Sequence, residues 1–151
     1  MRFYNLNPKM AIEFKLVKDP DTTSYENMRI VTQAYSIGDA VMLDRTADAI
    51  EVVPATASTV TTNIYGVAME AVTIAATTVL IAKITNRQTW SADTTGTATA
   101  ADNEQRMLLT DKGTVNNSHT DSGAPAAVFQ QTGYISANRI VGRFLTSAIS
   151  A

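Results

Sequence analysis

Short apolar runs, each ended within a few residues by Gly, Pro or Asp, recur along this chain, and no apolar stripe persists over three helical turns. That pattern points to strands, whose period of two sends alternate side chains to opposite faces. Within residues 11–17, Ile12, Phe14 and Leu16 fall on one face and Glu13, Lys15 and Val17 on the other. Asp19-Pro20-Asp21 stops the run, because Pro lacks a ladder donor and Asp caps turns. Further strands are predicted at 28–34, 40–43, 49–53, 64–72, 77–84, 105–109, 126–131 and 139–145. In the run 77–84 the alternation requires at least one face to be core. Ser36-Ile37-Gly38-Asp39 reads as a turn and 44–48 as a hairpin loop. The small polar tract 55–63 reads as a loop over a barrel, and 91–103 and 114–124 as long surface loops. Helix is limited to one or two short pieces, with 98–105 the best place for one. The fold class expected is mainly β: a small β-barrel, β-tulip or sandwich-like domain with long loops.

A chain of 151 residues and 16.2 kDa suits one domain. The expected division is an N-terminal arm at 1–10, a β-rich domain at 11–145 and a tail at 146–151. Within the domain, 35–85 reads as the core barrel and 86–145 as its elaboration or a small second lobe. Hydrophobic residues at 45% against 17% charged are enough for a packed core. With 12 basic and 14 acidic side chains and no cluster of Lys or Arg, a nucleic-acid partner is not expected. Lys9, Lys15 and Lys18 are diluted by Glu13 and Asp19. The absence of Cys excludes disulfides and thiolate metal sites. No run reaches the roughly 20 apolar residues of a membrane span, and MRFYNLNPKM lacks the apolar centre of a signal peptide. The expectation is a soluble protein made in a cytoplasm, with no membrane partner.

Catalysis needs a nucleophile, a tuned acid or base, or a metal, and the chain has one histidine. His119 lies in VNNSHTDSG beside Ser118, Asp121 and Ser122, where sequence neighbours in a loop do not supply fixed triad geometry. No enzymatic activity is expected, and no catalytic residue is assigned. The carboxylate pairs Asp19/Asp21, Asp44/Asp48 and Asp102/Glu104 sit where turns need caps. Asp102 and Glu104, with Asn103 between them, come nearest to a cation site, yet none of the pairs has the spacing of an EF-hand loop. No metal and no cofactor is expected. Ala68-Met69-Glu70-Ala71 is similar to the Ala-Met-Lys-Met hairpin of biotin-carrying domains, but Glu70 stands where the modified Lys belongs. The seven Gly residues form no phosphate-cradling loop. Trp90, with Arg87 near it in Asn86-Arg87-Gln88-Thr89-Trp90, is suited either to stacking on a sugar or base or to filling a barrel end or subunit contact. Without a second aromatic platform, packing is the favoured role. The candidates for an interaction surface are Phe3, Tyr4, Tyr65, Arg87 and Trp90.

One series of parts is more specific than any single residue. It runs Gly38-Asp39-Ala40-Val41, Ile50-Glu51-Val52, Pro54-Ala55-Thr56-Ala57, Ile64-Tyr65-Gly66-Val67-Ala68 and Val79. This order, over residues 35–85, resembles the capsid decoration, or cement, proteins of bacteriophages; residues 86–151 do not align to that pattern. The resemblance implies a structural virion protein on the capsid exterior, synthesised in the host cytoplasm. It implies a homotrimer at local threefold positions, whose partner is the major capsid protein and which clamps neighbouring copies after the shell expands. The arm at 1–10 or the tail at 146–151 would order on binding, and the Ala/Thr tract would act as a contact surface. The alternatives are a carbohydrate- or receptor-binding module of a head fibre or tail, using Trp90 and the loops around His119, and a structural subunit of a tail or connector.

Overall fold

The computed structural model describes residues 13–46, 50–59, 63–117 and 127–145. Eleven strands are found among them: β1 (Phe14–Lys18), β2 (Tyr25–Arg29), β3 (Ala40–Asp44), β4 (Glu51–Pro54), β5 (Ile64–Ala68), β6 (Thr78–Lys83), β7 (Thr89–Thr94), β8 (Arg106–Asp111), β9 (Thr114–Asn116), β10 (Phe129–Ser136) and β11 (Arg139–Phe144). A single 3-10 turn, Ala100–Asp102, is the helical element described. The fold is mainly β, as the alternation predicts.

The strands form two sheets. One runs β1-β7-β11-β10-β8-β9, and β9 then returns to β7 in parallel, pairing Thr114 with Asp93 and Val115 with Thr94. That last pairing closes β7, β11, β10, β8 and β9 into a five-stranded barrel and removes its free edges. β1 lies antiparallel to the earlier part of β7, from Phe14 opposite Ala92 to Lys18 opposite Thr89. The second sheet is antiparallel, in the order β2-β6-β5-β3-β4. It curls until its edge strands β2 and β4 touch, and Arg29 Nε stands 3.7 Å from Glu51 Oε2 across the gap.

Two apolar cores follow from this layout. The first fills the barrel with Phe14, Trp90, Met107, Leu109, Val128, Phe129, Ile140 and Phe144, and it also takes in Ala40, Ala55, Ile64, Val67, Ala82 and Ile84 from or beside the second sheet. The second core, inside the curl, holds Met28, Ile30, Tyr35, Val41, Leu43, Val52, Ala68, Val79 and Ile81. The central strands are therefore apolar on both faces. In the 77–84 run, Val79 and Ile81 enter the curl while Ala82 and Ile84 face the barrel, so both faces are core. In β5 the alternation breaks at Tyr65, an extra residue opposite the Val41/Met42 step, and this bulge lets Ile64 and Val67 both reach the first core.

Of the positions where geometry requires glycine, two shape the curled sheet. Gly38 has φ 95°, a left-handed turn that delivers the chain into β3. A Cβ on Gly66 would lie 2.7 Å from the Ala82 carbonyl oxygen and 2.8 Å from Ile81 Cδ1, so β5 and β6 approach there only because the side chain is missing.

Several predicted boundaries change. Residues 91–94, expected in a surface loop, belong to β7, the strand on which both β1 and the barrel are built. Residues 114–116, also expected in a loop, form β9, which closes the barrel. Both segments are rich in Thr and polar residues, and their strand form is imposed by neighbours rather than by their own apolarity. Residues 28–34 are strand only to Arg29, and the predicted strand 64–72 ends at Ala68. The helix expected near 98–105 is reduced to the 3-10 turn. β10 runs on to Ser136, five residues beyond the predicted end. The closed ring of strands is built from residues 89–144, whereas the 35–85 block supplies four of the five strands of the curled sheet.

Candidate interaction surface

Tyr65, Arg87 and Trp90 lie on different strands and turns: Gln88 bonds Trp90 directly, while Tyr65 and Arg87 pair with Glu26 and Asp21. Trp90 is wholly buried on β7, edge-on to Phe144 at a centroid distance of 5.9 Å. Its indole N–H donates to Gln88 Oε1 at 3.2 Å, and that same oxygen accepts the Thr85 N–H at 2.8 Å. Gln88 Nε2 in turn donates to the Lys83 carbonyl and to Asp19 Oδ2, each at 3.0 Å. Gln88 is itself 1% exposed, so these bonds satisfy a polar group that burial would otherwise penalise. The β6–β7 turn is thereby fixed to the loop after β1.

The exposed layer is built on that anchor. Arg87 Nη1 lies 3.5 Å from Asp21 Oδ2, with both side chains more than half exposed. On the neighbouring strands, Tyr65 Oη donates to Glu26 Oε2 at 2.8 Å, Lys83 Nζ lies 2.9 Å from the same oxygen, and Lys83 also stands 5.7 Å from the Tyr65 ring centroid. The result is a surface with two small clusters of paired charge: Arg87 with Asp21 beside the β6–β7 turn, and Glu26, Tyr65 and Lys83 across β2, β5 and β6.

Its electrostatics favour the charged forms. Hydrogen bonding to Lys83, then to Tyr65, holds the Glu26 carboxyl below its ordinary value, and Lys83 is raised in return by Glu26. For Asp19 burial works against the charge, but hydrogen bonds from Thr23, Gln88 and the Asp21 N–H outweigh it and lower the carboxyl. Burial, and then the hydrogen bond to Glu26, pushes the Tyr65 phenol up. This arrangement presents fixed charges and donors at the surface. It offers no nucleophile paired with a base.

Trp90, with no exposed surface, has no face to present to a sugar or base. Phe3, Tyr4, His119 and the segments 1–10 and 146–151 lie outside the described residues. Asp102, weighed as part of a cation site, accepts the Thr99 N–H and hydroxyl at 2.8 and 3.1 Å. Asn103 Oδ1 accepts from Gln131, and Glu104 Oε2 from Gln130. Among the described residues no group of three or more His, Asp or Glu is placed to hold a metal ion, and no helix is long and apolar enough to cross a membrane. Glu26, Lys83, Gln88 and Asp19 are site residues that the sequence did not reveal. Asp19-Pro20-Asp21 had announced only a turn, and Gln88 acquires its role from partners up to 69 positions away. The Ala/Thr tract is partly structural: Ala55 and Thr59 are buried, and Thr59 Oγ1 accepts the Thr56 N–H at 2.8 Å.

A second exposed area lies at the end of the curled sheet. Val31 and Ile74, 48% and 63% exposed, line an open groove with Arg29 and Thr32, and Ile50 is exposed beside Glu51, the partner of Arg29. Compared with the models of known protein families and with curated protein sequences, the chain matches none.

Proposed function

We propose that this chain is a structural virion protein that binds the outer surface of an icosahedral phage capsid as a homotrimer and stabilises the expanded head by clamping adjacent major capsid proteins. The observation that carries this reading is the order of parts from Gly38 to Val79, which falls on consecutive antiparallel strands of one sheet. Gly38-Asp39 turns into β3, Ile50-Glu51-Val52 leads through β4, Pro54 ends it, Ile64 to Ala68 is β5 and Val79 lies in β6. The resemblance of order thus corresponds to a contiguous piece of architecture. The surface supports the same reading. Glu26, Tyr65 and Lys83 offer paired charges and an aromatic ring on strands, Arg87 and Asp21 add a charged pair at the β6–β7 turn, and Val31, Ile50 and Ile74 leave apolar area in water of the kind that subunit contacts cover. A cyclic trimer repeats one capsid-binding patch three times, so weak single contacts add to a firm attachment.

Co-sedimentation with expanded, emptied heads of the phage that encodes the protein tests this. The wild-type chain is expected to pellet with the heads at saturable stoichiometry, and Arg87→Glu to pellet at least tenfold less while keeping the same β circular dichroism. Failure of the wild-type chain to pellet, with retention on a glycan surface instead, overturns the proposal in favour of a carbohydrate-binding module.

A further inference from the structure

Three chain segments meet where β1 begins. Glu13 precedes β1, Asp39 ends the turn before β3, and Asp111, Lys112 and Gly113 form the turn between β8 and β9. Backbone bonds tie them together: Phe14 N–H donates to the Gly38 carbonyl at 3.2 Å, and Ala40 N–H to the Lys112 carbonyl at 2.7 Å. Asp39 is completely buried, and its Oδ2 accepts the Ser36 N–H at 2.8 Å and Lys112 Nζ at 2.7 Å. Its other oxygen, Oδ1, has no partner, and neither has Glu13 Oε2; both atoms are sealed from solvent. Gly113 makes room for the glutamate, since a Cβ there would lie 2.2 Å from the Glu13 carboxyl.

Two neighbouring carboxyl groups, each with an orphaned oxygen, are satisfied together by a single proton. We propose that Glu13 and Asp39 share one proton, donated from Glu13 Oε2 to Asp39 Oδ1, and that this proton latches the start of β1 onto the 36–39 and 111–113 turns. With the proton in place the pair carries one negative charge, which Lys112 balances. Without it, two carboxylates and the nearby Asp111 face a single ammonium group. The remaining titratable neighbour, Tyr35, is raised by burial and by Asp39, and its hydroxyl donates to the Val52 carbonyl, so it stays neutral throughout.

The direction of the effect follows from the same surroundings. Burial, then the Asp39 carboxyl beside it, then the charge of Asp111, raise Glu13 from 4.5 to about 7 against the opposing pull of Lys112. A carboxyl raised in the folded state binds its proton more tightly there than in the opened chain. The latch is therefore complete below the ordinary value of 4.5, weakens as pH rises, and is lost above about 7.

Hydrogen exchange of the β1 amides from pH 5 to 8.5, corrected for the intrinsic exchange rate, reads the latch directly, with β6 amides as an internal reference. Wild-type protection of 14–18 relative to β6 is expected to fall by up to about tenfold per pH unit toward pH 7 and then level off. In Glu13→Gln the amide makes the same bond to Asp39 without titrating, so its protection should be flat; this also separates Glu13 from the one histidine, a residue type whose ordinary value lies in that window. A flat wild-type profile, or an equal fall in Glu13→Gln, overturns the latch. Should the variant fail to fold, carbon-13 titration of the wild-type Glu13 carboxyl decides: a midpoint near 7 supports the shared proton, and one near 4.5 overturns it.

Discussion

The closed barrel and the curled sheet bury comparable strands by different means. The barrel relies on four rings, Phe14, Trp90, Phe129 and Phe144, whose contacting centroids lie 5.0 to 5.9 Å apart, and it tolerates buried Ser91, Gln130 and Gln131 around them. The curled sheet relies on aliphatic residues such as Val41, Val52, Val79 and Ile81, with Tyr35 the one buried ring of that core among the described residues. The barrel closes by backbone hydrogen bonds between β9 and β7, whereas the sheet brings its edges together through side chains, including Arg29 and Glu51. A few large contacts hold the first and many small ones the second. The two are nevertheless joined, because Ala40, Ile64, Val67, Ala82 and Ile84 project from the sheet into the barrel's core.

That contrast has measurable consequences. The largest is expected at Phe144, which touches the other three rings: Phe144→Ala should lower stability in urea by about 3–5 kcal/mol, through lost transfer energy and the cavity left behind. Because the first core is shared, Trp90 fluorescence and far-ultraviolet circular dichroism should report the same single transition. Separate transitions for the two probes would show that barrel and sheet are independent units. A smaller effect is expected inside the sheet. Gly66→Val must push β5 away from the Ala82 carbonyl and Ile81, at a cost of about 1–3 kcal/mol. Unchanged stability would mean that the β5 bulge absorbs the side chain.

The same contrast explains what the sequence disclosed. Strands of the curled sheet, AVMLD, IYGVA and TVLIAK, are dense in β-branched and aliphatic residues, and all three were legible within a few positions. The barrel strands TWSADT and TVN are mostly polar, and their strand form comes from pairing with β1, β11 and β8 rather than from local pattern. Gly66 interrupts an otherwise apolar strand, the pattern of a close backbone approach, and β6 lies close there. The interaction patch was half legible: Tyr65 and Arg87 stood out as residue types, while Glu26, Lys83 and Gln88 gain meaning only from neighbours distant in sequence. Glu13 and Asp39 were hidden for the same reason. One read as the polar face of a strand and the other as a turn cap, and only the folded chain brings the two carboxyls together and leaves an oxygen of each without a partner.

The central functional claim is most directly tested by imaging expanded heads mixed with the purified protein by single-particle electron microscopy. The account predicts trimeric density, of three times the 16.2 kDa chain mass, at the local threefold positions of the shell, with Arg87 turned toward the major capsid protein. Bare threefold positions, or density confined to the tail, connector or fibres, would contradict it.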